Sequence, residues 1–276
     1  MEVDFTKMHG LGNDFIVISE LDSAAVDEAD KPAFARDFCR RNISVGADGV
    51  LFLQPSDGCD LRMRMFNPDG SEAENCVNGL RCVAFKYHLL TGKADMCVET
   101  RGGSVDVNIR VEPAGGKGGG TAIAELEMKG KREFGGKAEL ELETGNLQYV
   151  HVNVGNPHAV IFLDEDVSGF PVPEIGKSVE MHEKFAPART NAEFINVKGR
   201  TALKMRVWER GAGETLSCGT GSVASVIAAC ELGLCERGEW VRVEQPGGAL
   251  EIKYGDRLFL RGPAEISFEG RLRLGK

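Results

Sequence analysis

Several things are missing from this 276-residue chain, and each absence narrows what it does. It lacks a basic excess: Lys and Arg number 33 against 42 Asp and Glu, a net charge of −9. Nucleic-acid binding wants a basic face, so the balance speaks against such a partner. The N-terminus, MEVDFTKMHGLGNDF, has neither a basic segment nor the apolar stretch of a secretory leader, and no apolar run approaches membrane-spanning length. A cytoplasmic protein that does not engage a membrane is expected. None of the eight cysteines forms a CxxC, and no Cys/His group has zinc spacing, so no metal site is expected. In a reducing compartment the cysteines should be mainly free thiols. The Gly-rich run Pro113 to Thr121 lacks the GxxxxGK[ST] pattern and opens no helix; it reads as a connection.

What the chain does have is a repeat. Met63 to Val83, MRMFNPDGSEAENCVNGLRCV, lies over Met205 to Ser225, MRVWERGAGETLSCGTGSVAS, without a gap at an offset of 142 (205 − 63). Arg64 falls on Arg206, Glu72 on Glu214, Cys76 on Cys218 and Gly79 on Gly221. Gly12 to Ile18, GNDFIVI, lies over Gly155 to Ile161, GNPHAVI, at an offset of 143 (155 − 12). Two matches in the same order at nearly one offset indicate duplicated half-domains. In each copy an alternating apolar run enters a polar turn, then a cysteine, then a helical stripe. After Cys76 the stripe is Leu80, Val83, Ala84 and Tyr87, ending at Gly92; after Cys218 it is Val223, Val226, Ile227 and Cys230.

Strands are expected at Glu2–Thr6, Phe15–Ile18, Val50–Leu53, Leu61–Phe66 and across Met96–Val111. In the second half they are expected at Ala122–Met128, Gln148–Val154, Ala159–Leu163, Phe194–Val197 and Leu203–Trp208, then through Trp240–Leu274 with a reversal at Tyr254–Arg257. Further helices are expected at Pro32–Arg41 and Pro173–Phe185. The fold class is α+β: two pseudo-symmetric half-domains, each a curved, mainly antiparallel sheet around a central helix, with the active site in the cleft between them. The expected division is 1–117, completed by 263–276, and 118–262.

Cys39, Cys82, Cys97, Cys230 and Cys235 have no reactive context and read as small buried hydrophobes; nothing beside Cys59 suggests chemistry. Cys76 and Cys218 differ, because each stands at a helix start. Free N–H groups and the helix dipole there favour a thiolate and can hold a carboxylate. Two such thiols related by duplication suit a reaction that removes a proton from one face of a stereocentre and returns one to the other.

The motifs MHGLGNDF (Met8–Phe15), FNPDGSEAENCVNGLRC (Phe66–Cys82), GNPH (Gly155–His158), ERGAGET (Glu209–Thr215) and CGTG (Cys218–Gly221) resemble those of the diaminopimelate epimerase family. The resemblance implies interconversion of LL- and meso-diaminopimelate without pyridoxal phosphate, metal or other cofactor, in lysine and peptidoglycan precursor synthesis. It implies Cys76 and Cys218 as the acid–base pair. Asn13, Asn67, Asn156 and Asn191 would grip the substrate. Glu209 would lie near the reacting ammonium and Arg210 near the distal carboxylate. Backbone donors would come from Val77, Asn78, Gly219 and Thr220, and His158 and Glu209 would tune the thiols. A homodimer is a further expectation. Three positions depart from the family pattern: Val77 where Gly is usual, Gly49 where some members carry Gln, and Ala192 where Val is usual. Other substrates (histidine, proline or hydroxyproline) and a thiol-redox binding protein are the alternative readings.

Overall fold

The computed structural model describes residues 2–112, 120–130 and 132–273. The chain divides into two compact units, Met1–Glu127 with Arg261–Lys276, and Met128–Leu260.

In the first unit, strand β1 (Glu2–Gly10) pairs antiparallel with β2 (Asn13–Ser19), and β2 runs parallel to β3 (Gly49–Gln54). Between them helix α1 (Lys31–Phe38) carries Pro32 in its first turn, where a missing N–H costs nothing. β3 pairs antiparallel with β4 (Leu61–Phe66), whose end folds back on the two-residue β5 (Glu72–Ala73). Helix α2 (Val77–Thr91) follows and ends at Gly92, whose φ of 76° is the left-handed cap that glycine adopts without strain. β4 then lies parallel to β6 (Asp95–Thr100), β6 antiparallel to β7 (Gly103–Glu112), and β7 antiparallel to β8 (Thr121–Glu127). The C-terminal strand, Leu258–Arg273, pairs with both β8 and β1 and closes an eight-stranded barrel. α2 packs against β1, β2, β3, β4, β6, β7 and β8, so it runs through the barrel. Its first nine residues are all buried, as a helix enclosed by sheet must be.

The second unit repeats the order of pairings. β9 (Glu133–Leu142) pairs with β10 (Gly145–Asn153), β10 with β11 (Pro157–Phe162), and β11 runs parallel to β12 (Asn191–Gly199). Helix α3 (Val172–Glu180) lies between the last two. β12 pairs with β13 (Ala202–Glu209), which folds back on β14 (Gly213–Thr215) before helix α4 (Gly219–Glu231). β13 then runs parallel to β15 (Trp240–Gln245), and β15 pairs with β16 (Gly248–Tyr254). The registers repeat as well: Val50 faces Phe66, and Ala192 faces Trp208.

The structure differs from the sequence reading in four places. The strand expected at Ala122–Met128 as the start of the second half is β8; because it pairs with β7, it completes the first barrel and moves the division to 127/128. β9 was not expected, although its AELEL segment alternates. Helix α3 is shorter than Pro173–Phe185, with the last three residues forming a separate 3-10 turn. Cys59 and Cys97, read as thiols without partners, form a disulfide; the parallel pairing of Leu61 with Val98 brings together the chain segments just before them. The six remaining cysteines lie outside any disulfide. The expected connection at 113–121 lies almost wholly outside the described residues. No helix among the described residues is long and apolar enough to cross a membrane.

Candidate active site

Each unit presents its cysteine in the same way. Arg64 on β4 bonds Glu72 on β5 through both carboxylate oxygens (2.8 and 2.9 Å), and in the repeat Arg206 bonds Glu214 at 2.7 Å. These pairs hold the hairpins that deliver the chain to the helices. Cys76 and Cys218 then occupy the N-cap positions with extended backbones, and each sulfur accepts the N–H three residues on, from Gly79 and Gly221, both at 3.3 Å. The thiol takes the place of the usual Ser, Thr or Asp oxygen.

In the first unit Cys76 is half-buried, and its N–H donates to Asn75 Oδ1 at 2.8 Å. Asn78 Nδ2 donates to Asn13 Oδ1 (3.1 Å), and Asn13 Nδ2 donates to Asp48 Oδ2 (2.9 Å), so Asn13 and Asn78 form one cluster beside the helix start with Val77 buried. Asn67 donates to Ser71 Oγ at 3.0 Å within the turn after β4. The guanidinium of Arg81, wholly buried on α2, donates to the Pro263 carbonyl at 3.0 Å and lies within electrostatic range of Cys76. Burial draws Arg81 down to about 10, which leaves it cationic at neutral pH.

In the second unit the residues are linked more tightly. Cys218 is buried, and its N–H donates to Gln245 Oε1 at 2.9 Å. Its sulfur lies 3.6 Å from Thr220 Oγ1, which accepts from Asn156 Nδ2 at 3.4 Å. Asn156 Oδ1 contacts His158 Nε2 at 3.0 Å, and His158 Nδ1 contacts Glu193 Oε1 at 2.7 Å. Asn191 donates to the Pro157 carbonyl and accepts from the Arg210 N–H, both at 3.0 Å; the Arg210 guanidinium rests on the Ala188 carbonyl at 2.8 Å. Thr215 donates to the Glu209 carboxyl. Burial pushes Glu209 above the ordinary carboxylate range. Burial also pushes the Cys218 thiol well up, with the Glu209 and Glu193 carboxyls acting in the same direction, while Thr220 and the Gly221 N–H oppose them.

Asn156, His158, Asn191, Glu209, Arg210, Gly219 and Thr220 thus share one end of the second sheet with Cys218, as Asn13, Val77 and Asn78 do with Cys76 in the first. Glu193 was missed. It sits in the strand AEFI, where a charged residue reads as solvent-facing, yet it is fully buried. The repeat held the signal: at an offset of 142 (193 − 51), Glu193 falls on Leu51. The other cysteines are inert, with Cys39, Cys82 and Cys230 pushed up to about 11, 12 and 12, in each case chiefly by burial.

The model of the diaminopimelate epimerase family matches residues 5–120 and 150–266. A protein named diaminopimelate epimerase from Desulforapulum autotrophicum is 39% identical over 288 residues, covering 99% of this chain and 100% of that one. Another of that name, from Methanocaldococcus jannaschii, is 40% identical over 300 residues, covering 98% of each. Among solved structures, a phenazine biosynthesis protein of the PhzF family from Bacillus anthracis aligns with a TM-score of 0.74 at 17% identity, covering 99% of this chain and 100% of that one. A probable proline racemase from Agrobacterium radiobacter aligns at 0.71 and 14%, covering 99% and 93%. At such identities the structural likeness speaks for the fold alone. Sequence likeness near 40% along nearly the whole chain, over motifs that surround both helix-capping cysteines, carries the assignment: the chain belongs to the diaminopimelate epimerase family.

Proposed function

We propose that this protein epimerises LL-diaminopimelate to meso-diaminopimelate, with Cys76 and Cys218 exchanging protons at one α-carbon. The observation that carries the reading is the duplicated cap: two thiols, each at the head of a buried helix, each bonded to the N–H three residues on at 3.3 Å. One thiolate takes the α-hydrogen from its face of the carbon. The other thiol delivers a proton to the opposite face, and the roles reverse for the return reaction. An amino-acid α-hydrogen is a weak acid, so charge developing on the α-carboxylate must be stabilised. The first-turn N–H groups at Val77–Asn78 and Gly219–Thr220 suit that task, because helix-start donors are fixed before the reaction begins. Glu209 faces the substrate ammonium; Asn13, Asn67, Asn156 and Asn191 orient the substrate, and Arg210 takes the distal carboxylate. No other group is needed to move the proton.

The electrostatics of the two thiols are unlike. Cys76 has the buried Arg81 cation in range, whereas Cys218 is buried among carboxyls. Burial among carboxyls supports Cys218 as the protonated thiol in the resting enzyme. The expected setting is cytoplasmic, and a homodimer is the expected assembly, to be read by light scattering. The test of the reaction is turnover followed by chiral chromatography on LL- and meso-diaminopimelate beside histidine, proline and hydroxyproline. Interconversion confined to diaminopimelate supports the reading; turnover of a monocarboxylic amino acid instead would overturn the substrate.

A further inference from the structure

The slot beneath each cysteine-bearing helix start is built alike but filled differently. A Cβ placed on Gly79 would meet the Leu51 methyls at 3.1 and 3.3 Å; one placed on Gly221 would meet Glu193 Oε1 at 2.7 Å. In the first unit β2 and β3 pair Phe15 with Gly49, and in the second β11 and β12 pair His158 with Asn191. Phe15 and Leu51 therefore correspond to His158 and Glu193. All four side chains are fully buried. Phe and Leu show that this slot packs without polar atoms. Replacing them by a histidine and a carboxylate of similar size carries a desolvation cost that packing does not require.

The hydrogen bonds fix the proton count of the polar pair. Asn156 Nδ2 donates to Thr220, so Asn156 Oδ1 must accept, and His158 Nε2 must carry the hydrogen between them. The 2.7 Å contact between Nδ1 and Glu193 Oε1 needs one more proton. Whether that proton sits on nitrogen or on oxygen, the pair is net neutral. Glu193 Oε2 is buried without a hydrogen-bond partner, an arrangement a lone ionised carboxylate would strongly disfavour. Among the described residues, the titratable groups that face the pair include Cys218 and Glu209.

We infer that Glu193 is a positioning residue for the reaction: through His158, and as half of a neutral pair, it fixes the Asn156 amide and the Thr220 hydroxyl against Cys218. The inference rests on the reading of Cys218 as an acid–base group. The chain of contacts from Glu193 to sulfur passes through no exposed side chain. Deleting the carboxylate frees the imidazole to turn or change tautomer, and every later link loses its orientation.

The test is a double-mutant cycle with kcat, KM and the pH profile measured in both directions. Glu193→Leu and His158→Phe should each lower kcat/KM by about 30-fold, and the double variant should be no worse than His158→Phe alone, because the two residues act in series. Glu193→Gln keeps a neutral hydrogen-bonding partner for His158. It should stay within about threefold of the wild type, with a superimposable pH profile. Losses that multiply in the double variant, full activity in Glu193→Leu, or a Glu193→Gln enzyme as impaired as His158→Phe would each overturn the inference. The double variant copies the filling of the first unit and should fold. If Glu193→Leu alone does not, the other three variants still decide. Cys218→Ser, assayed alongside, separates the two readings. If it keeps epimerase activity, the role of Cys218 falls. If it is inactive while the Glu193 variants behave like wild type, only the present inference falls.

Discussion

Gly221→Ala should damage catalysis more than stability, and its repeat partner Gly79→Ala supplies an internal control. A Cβ at 221 would stand 2.7 Å from Glu193 Oε1, 3.2 Å from Glu193 Cγ and 3.2 Å from the Cys218 sulfur. Ordinary contacts between carbon atoms are ~3.5–4.0 Å, so the sulfur must yield by roughly half an ångström. The Glu193 oxygen cannot swing freely, because it is bonded to His158. Overpacking of this kind costs ~1–3 kcal/mol, and the better helix propensity of alanine returns about 1. Net destabilisation should therefore be at most about 2 kcal/mol by urea unfolding. Displacing a reacting atom by a fraction of an ångström is more serious, and kcat should fall by roughly 10- to 100-fold. At 79 the neighbours are two Leu51 methyls at 3.1 and 3.3 Å and Cys76 Cβ at 3.4 Å. A leucine side chain can rotate away, so stability should stay within about 1 kcal/mol of wild type and kcat within about tenfold. If Gly221→Ala left kcat intact, or if Gly79→Ala cost more than Gly221→Ala, the placement of the Cys218 sulfur would not matter as argued.

Cys76→Ser and Cys218→Ser should each lower kcat by roughly a thousandfold while leaving the thermal midpoint nearly unchanged, since a hydroxyl caps a helix well but is a far weaker acid. Arg206→Ala removes the bond to Glu214 and those to the carbonyls of Val167 and Phe170. It should cost about 2–3 kcal/mol in urea unfolding and lower kcat, and a variant of wild-type stability would show that the hairpin holds without it. Stability should also fall in alkali. The folded-state values of Cys39 and Cys82 are raised, to about 11 and about 12 from 9.0, so their contribution is complete below pH 9 and is lost as pH climbs toward those values. Denaturation midpoints should drop between pH 9 and 11, and Cys82→Ala should flatten that drop.

Much of the site was legible because the chain writes it twice. The offset that aligns Cys76 with Cys218 also aligns the Arg64–Glu72 and Arg206–Glu214 bonds and the strand registers around them. The α2 boundary was readable at both ends, from the cysteine cap and from Gly92. Features carried by only one copy were harder to see. Glu193 lies in a strand whose pattern alone makes a carboxylate look exposed, and only comparison with Leu51 reveals it as buried. The Cys59–Cys97 disulfide joins residues 38 apart, brought together by a strand pairing that no local pattern announces. The division is expected at 117/118 rather than 127/128 because the Gly-rich run at 113–121 looks like a domain linker, whereas β7 and β8, which precede and follow it in the chain, pair with each other.

The claim that two sulfurs serve one carbon from opposite sides is tested most directly by the isotope content of the first product formed in D2O. With LL-diaminopimelate at early conversion, every meso product molecule should carry solvent deuterium at the inverted carbon, while the remaining substrate keeps its hydrogen. Product that retains the substrate's own hydrogen at that carbon would mean that one base works on both faces, and the paired-thiol account would be wrong.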